Sequence, residues 1–298
     1  MKIVIIGAGG RLGAALLRAY EQTHEVRGLT HAQIDIGNLN EVEQVIPRFD
    51  FDLMINCAAL TNVDLCEEQP DKAFRINADA PDLFARICDK RRARLIHFST
   101  DYVFDGKKRT PYSEEDEAEP LSVYGESKRE GEEYVLGPHD RHLVVRVSWV
   151  FGPDRPSFID HVIQRARGQE HVEAVADKFS TPTYTRDIAE MLPQFFEVPV
   201  GGLLHFCNSG ECSWQEYAQH ALNCCHEAGV PLQTATVAPI NLSDMTNFTA
   251  RRPSYSVLST AKYASLAGKA PRPWQDAVRE YVREFYAAAP PPALPSPN

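Results

Sequence analysis

Three side chains within one stretch of the chain have the types and spacing to move a proton. Residues His97 to Gly106 read H-F-S-T-D-Y-V-F-D-G, and Pro120 to Glu130 read P-L-S-V-Y-G-E-S-K-R-E. Thr100 closes an apolar run, Tyr124 follows it, and Lys128 stands four residues further on. Residues i and i+4 of a helix share one face, so Tyr124 and Lys128 can enter the same site. Thr100 can meet them from the end of a strand. A phenol is a poor acid at neutral pH because its ordinary pKa is about 10. A neighbouring ammonium favours the phenolate and is expected to bring the Tyr124 hydroxyl toward working pH. Proton transfer to or from a substrate oxygen is the chemistry that follows. Y-x-x-x-K alone describes many ordinary amphipathic helices, so its meaning depends on what else the chain supplies.

The elements that must position these groups can be read from the N-terminus. Lys2–Ile6 (K-I-V-I-I) is a short continuous apolar run, as expected of a strand covered on both faces. Gly7-Ala8-Gly9-Gly10-Arg11-Leu12-Gly13 follows directly, and a helical pattern runs from Leu12 to Tyr20. Glycines between a strand and a helix allow a tight turn and a close backbone approach to a pyrophosphate. The helix N-terminus offers free N–H groups to that anion. Further strands are expected at Glu25–Leu29, Asp52–Asn56, Arg94–Phe98, His142–Ser148 and Leu203–Cys207, those at Asp52–Asn56 and His142–Ser148 buried. Helices are expected at Leu39–Arg48, Pro70–Arg91 (broken near Pro81), Pro156–Arg167, Thr185–Phe196, Ser213–Glu227 and Pro273–Tyr286. Ser213 with Glu216 predicts a capping box. Lys178–Thr183 reads as a turn. The alternation implies an α/β fold, a doubly wound parallel Rossmann sheet with a smaller C-terminal substrate-binding lobe. We expect residues 1–150 to form mainly the dinucleotide domain. Residues 151–288 would form mainly the lobe, with some chain returning to the core, and 289–298 a disordered Pro-rich tail. In such sheets ligands bind at the carboxyl ends of the strands. Gly7–Gly13, Asp35, Ser99-Thr100 and the small residues of Cys57–Thr61 all fall at that edge.

Composition limits the alternatives. A net charge of −10 over 298 residues argues against nucleic acid or an anionic membrane as the main partner. The 43% hydrophobic and 24% charged content is that of an ordinary globule. No apolar run approaches the ~20 residues of a membrane span. Seven cysteines without a C-x-x-C pair argue for reduced thiols in a cytoplasmic protein and against a disulfide framework or a zinc ribbon.

Taken together, G-x-x-G-x-x-G, N-C-A-A, S-T-D and Y-x-x-x-K in this order resemble the extended short-chain dehydrogenase/reductases. Within them, N-C-A-A-L-T-N-V-D-L-C-E, H-F-S-T-D-Y-V-F-D-G, R-V-S-W-V-F-G and A-R-R-P-S-Y-S-V-L-S resemble the dTDP-4-dehydrorhamnose reductase family, from residue 7 to about residue 259. The resemblance implies a cytoplasmic oxidoreductase acting on a nucleotide sugar as monomer or homodimer. Thr100, Tyr124 and Lys128 would be its catalytic trio, with Tyr124 and Lys128 also on the nicotinamide ribose. Gly7, Gly10, Arg11, Leu12 and Gly13 would hold the pyrophosphate. Asp35, Ile36, Cys57, Ala58 and Ala59 would line the adenosine and ribose side. Thr100, Asp101, Trp149, Arg251 and Arg252 would meet the substrate, the two arginines at its diphosphate. Relatives that bind magnesium between subunits carry a Glu where this chain has Ala15, so no metal is expected. The cofactor expected is NADPH, with NADH possible. No acid closes the second strand at Gly28-Leu29-Thr30-His31, and Arg11 could reach a 2′-phosphate. Related functions on the same scaffold are a sugar-nucleotide epimerase or dehydratase and a non-catalytic regulatory subunit like that of methionine adenosyltransferase. Tyr102, where the dehydratases have Glu after S-T-D, disfavours dehydration.

Overall fold

The computed structural model describes residues 1–137, 141–197 and 200–287. The expected tail at 289–298 lies outside the described residues. Six strands form one parallel sheet: β1 (Lys2–Ile6), β2 (Glu25–Leu29), β3 (Leu53–Asn56), β4 (Arg94–Thr100), β5 (Leu143–Val147) and β6 (Gly202–His205). Their order is β2-β1-β3-β4-β5-β6. The chain reverses direction across the sheet between β1 and β3, which leaves a crevice beyond their carboxyl ends. The side of β2 away from β1 carries no further strand among the described residues; the segment after Leu29 runs as turns, where Asp35 accepts from the Gly37 N–H at 2.9 Å.

Helices cover both faces. On one, α1 (Arg11–Tyr20) and α6 (Thr185–Met191) pack with Ile3, Ile5, Ile55, Ile96 and Val145. On the other, α2 (Leu39–Val45), α3 (Ala80–Arg91) and α4 (Val123–Leu136) pack with Val4, Ile6, Met54, Leu95 and Val144. Adjacent residues of β1 therefore serve opposite cores, which explains its unbroken apolar run. β6 and α6, both beyond residue 150, belong to this body. A second core gathers α5 (Phe158–Gly168), α7 (Trp214–Glu227) and α8 (Trp274–Phe285) around Phe151, Tyr217 and Trp274. The capping box of α7 is present: Glu216 N–H donates to Ser213 Oγ at 3.1 Å and Ser213 N–H donates to Glu216 Oε2 at 2.8 Å.

Two expectations are corrected. The helical stretch 70–91 is not broken at Pro81, which sits in the first turn of α3; it passes through a π-helical segment, Arg75–Asp79. Residues 178–184 are not a simple turn. Phe179–Ser180 pairs with Cys212–Ser213, and Thr183–Tyr184 pairs with Val150–Phe151. Their partners are far away in sequence, so no local pattern marks them.

Candidate active site

The glycine loop follows β1. Gly7 has a φ of +80°, and a Cβ there would lie 2.8 Å from the Ala58 nitrogen. Only glycine meets both conditions. The loop after β1 and the loop after β3 are thus pressed together. Gly10 caps α1 without a side-chain bond, and the first turn of α1 holds no acidic residue. An uncapped N-terminus beside a cradle without side chains fits a pyrophosphate. Leu12 and Ile36 point into the two cores of the body, so their contribution to a cofactor site is through the backbone.

The trio meets at the end of β4. Thr100 Oγ1 accepts from the Tyr102 N–H at 3.2 Å and donates to Asp101 Oδ1 at 3.2 Å. Ser122 caps α4 by accepting from the Gly125 N–H at 3.3 Å, which starts the helix in register to present Tyr124 and then Lys128. Tyr124 is only 8% exposed, and its ring lies edge-on to Tyr102 at 5.6 Å between centroids. Lys128 is buried, and Nζ donates to the Phe98 carbonyl at 2.8 Å. The π-helical segment braces this assembly: Asn77 Nδ2 donates to Ser127 Oγ at 3.0 Å, and Asn77 Oδ1 accepts from the Leu60 N–H at 2.8 Å. Such segments often occur at functional sites.

The electrostatics differ from the sequence-based expectation. Burial pushes the Tyr124 phenol well above its ordinary value, and a hydrogen bond with Thr100 pulls the other way. Lys128 does not bring it down in this structure, because its amine is turned onto β4. Burial also pulls Lys128 down to about 8, opposed by Glu132 and Cys57. A phenol that keeps its proton suits an acid that protonates a carbonyl oxygen.

Four side chains expected at the site have partners within the protein. Asp101 is turned into a buried network of hydroxyls. It is 2% exposed, and its Oδ2 accepts from Ser148 Oγ at 3.0 Å, Ser180 Oγ at 2.9 Å and Ser256 Oγ at 2.5 Å. A buried carboxylate draws in every hydroxyl within reach. Arg11 is not free for a phosphate. Its guanidinium donates to the carbonyls of Arg155 at 3.1 Å, Val150 at 3.2 Å and Pro156. In return, Arg155 Nε donates to the Gly9 carbonyl at 2.8 Å, so the glycine loop is laced to residues 150–156. Arg252 is neutralised by Asp64 at 2.6 Å and lies 3.5 Å over the Phe248 ring. Asp35 spends one oxygen on its own turn. Arg251, by contrast, is exposed.

Trp149 takes a φ of +38°, an outlier for so bulky a residue. Its ring stacks on Tyr217 at 6.0 Å and lies 6.0 Å from Trp214. Between Trp149, Trp214 and Tyr102 sits Lys178, which the sequence reading overlooked. It is fully buried, with Nζ 5.0 Å from the Tyr102 ring and 5.9 Å from Trp149. Nζ donates to the Pro253 carbonyl at 2.8 Å, and burial pulls it down to about 8 against the pull of Asp101. A lysine immediately before an apolar residue in the turn-like 178–183 stretch was the one signal available.

A parallel sheet with a glycine loop after its first strand and a Thr–Tyr–Lys group after its fourth defines an extended short-chain dehydrogenase/reductase. The family described as "RmlD substrate binding domain" matches residues 1–287. The chain belongs to that family. It is 37% identical over 288 residues to the spore coat polysaccharide biosynthesis protein SpsK of Bacillus subtilis, covering 96% of this chain and 99% of that one. It is 37% identical over 300 residues to dTDP-4-dehydrorhamnose reductase of Mycolicibacterium smegmatis, covering 99% and 89%. The solved dTDP-4-dehydrorhamnose reductase of Bacillus anthracis, in complex with NADP, superposes with a TM-score of 0.87 at 30% identity, over 95% of this chain and 99% of that one. Among the described residues no helix is long and apolar enough to cross a membrane, and no cluster of His, Cys, Asp and Glu could hold a metal ion.

Proposed function

We propose that this chain reduces the C4 ketone of a nucleotide-linked 4-keto-6-deoxy sugar, with dTDP-4-dehydrorhamnose as substrate and dTDP-L-rhamnose as product. The observation that carries the reading is the buried Thr100–Tyr124–Lys128 group at the carboxyl edge of the sheet, in a chain that matches reductases of that name along almost its whole length. NADPH, when bound, supplies the hydride. Gly7, Gly10 and Gly13 would hold the pyrophosphate, with Asp35, Cys57, Ala58 and Ala59 on the adenosine and ribose side. Tyr124 gives its proton to the carbonyl oxygen. Thr100 turns its O–H from Asp101 to the same oxygen and orients it. Lys128 holds the ribose and, as an ammonium, stabilises the phenolate left on Tyr124. Trp149 walls the sugar. Seven free thiols agree with a cytoplasmic setting. The test is NADPH oxidation with dTDP-4-keto-6-deoxy-L-mannose beside its UDP-linked counterpart. Absence of turnover with both would end this reading.

NADPH is favoured over NADH because residues 28–31 carry no carboxylate to repel a 2′-phosphate. Arg11 no longer supports that preference. Arg11→Ala is expected to weaken NADPH and NADH binding by the same factor, because it loosens the glycine loop as a whole. Titration of both cofactors checks this. A selective loss of NADPH affinity would return Arg11 to the phosphate.

The two neighbouring arginines are expected to separate. Arg251→Ala should weaken binding of dTDP several-fold and leave the melting temperature unchanged. Arg252→Ala should lower stability by about 1–3 kcal/mol, because Asp64 loses its partly buried, hydrogen-bonded partner. Isothermal titration with dTDP and thermal melts of both variants check the pair of outcomes.

A further inference from the structure

Beneath the trio lies a buried polar chain with no part in the reaction as described so far. The Ala58 N–H donates to Asn56 Oδ1 at 3.0 Å, which fixes the amide so that Nδ2 faces His97. Asn56 Nδ2 lies 2.9 Å from His97 Nδ1. His97 Nε2 lies 3.2 Å from Lys128 Nζ. Asn56, His97 and Lys128 are each at most 1% exposed, so water does not relieve a mismatch among them.

The proton inventory of this chain is constrained. An amide NH2 only donates, so His97 Nδ1 must present its lone pair. A neutral imidazole then carries its one hydrogen on Nε2, aimed at Lys128. An ammonium has three donors and no acceptor. One of them goes to the Phe98 carbonyl at 2.8 Å, and another would face the Nε2–H. An amine at Lys128 accepts that hydrogen instead. Turning the His97 tautomer, or flipping Asn56, only moves the donor–donor clash to Asn56 or to the Ala58 N–H. A doubly protonated ring clashes at Nδ1 as well, and burial and the Lys128 charge hold His97 well below its ordinary value.

We propose that His97, locked in its Nε2–H tautomer by Asn56, is a positioning residue that holds Lys128 against β4 and disfavours its ammonium form. The charged and titratable groups facing Lys128 are His97 from β4, Cys57 from the end of β3, and Glu132 from α4 itself. Glu132 is bound bidentately by Arg146 of β5, at 2.8 and 2.6 Å, which blunts its pull on Lys128. The π-helical segment packed on α4 contributes Asn77, a neutral partner of Ser127. His97 is thus the neighbour whose hydrogen opposes the charge. The role rests on the proposed reduction: the array sets the pH above which the Tyr124 phenolate loses its ammonium, and so the alkaline limit of turnover.

Two measurements on the unliganded enzyme test it without any turnover. Nitrogen NMR of His97 at neutral pH should show Nε2 protonated and Nδ1 bare; the opposite tautomer or an imidazolium would overturn the proposal. Carbon NMR titration of Lys128 should show its pKa rise in His97→Gln by on the order of one unit, tenfold in the ammonium-to-amine ratio, because an amide oxygen can accept from the ammonium. No rise, or a fall, would overturn it. Should His97→Gln fail to fold, Asn56→Asp serves: a carboxylate accepts from Nδ1–H and should switch His97 to the other tautomer, and a ring that stays Nε2-protonated would overturn the lock. If the enzyme turns over no keto sugar while these titrations come out as stated, the array stands and the substrate assignment falls.

Discussion

Tyr124→Phe should lower kcat by about 10²–10⁴, the usual worth of a positioned general acid, and leave the fold and cofactor affinity close to wild type. The substitution removes one oxygen from a buried ring that stays packed edge-on against Tyr102. Thr100 keeps its bonds to Tyr102 and Asp101, and Lys128 keeps its bond to the Phe98 carbonyl. What disappears is the proton that reaches the carbonyl oxygen during reduction. Single-turnover rates, together with a melting curve, separate loss of chemistry from loss of structure. Turnover within threefold of wild type would take Tyr124 out of the mechanism.

Asp101→Ala should cost about 3–5 kcal/mol of stability, in the range of a buried charge network broken by removing one partner. The carboxylate is the common acceptor of four hydroxyls, from Thr100, Ser148, Ser180 and Ser256. Alanine leaves these groups in a dry cavity, and Lys178 loses the carboxylate that opposes its desolvation. Asp101→Asn keeps the shape and part of the hydrogen bonding, so its cost should be smaller. Urea denaturation measures both. A loss under about 1 kcal/mol for the alanine variant would mean that the hydroxyls find other partners or water.

Much of the body was legible in the sequence because its signals are local. β1 and β2 have the bounds that their residues suggest, and the Ser213–Glu216 box starts α7 where it was expected. Continuous apolar runs betray strands buried on both faces, and a cap needs only residues three apart. The edge carrying Gly7–Gly13, Cys57–Ala59 and Thr100 followed from the sheet rule alone. The charged contacts were not legible. Arg252 finds Asp64 across 188 residues, and Arg11 finds the Val150 carbonyl across 139. Nothing near either arginine in the chain announces that its charge or its donors are already used. His97 was hidden for a related reason: within β4 it reads as one polar residue in an apolar run, and its partners lie on β3 and α4. The π-helical segment left no trace because its i→i+5 bonding has no apolar period of its own to read in the sequence.

The hydroxyls around Asp101 also have an order in time. Ser256 follows Asp101 by 155 residues, which at 5–20 residues per second is roughly 8–30 s of translation. During that interval β5 and β6 are made, while the Asp101 carboxylate still lacks its last hydroxyl partner. Until Ser256 arrives, water is the partner that a carboxylate takes in its place. Thr100, Tyr124 and Lys128 all precede residue 130, so the catalytic trio is synthesised well before the hydroxyl network around Asp101 is complete.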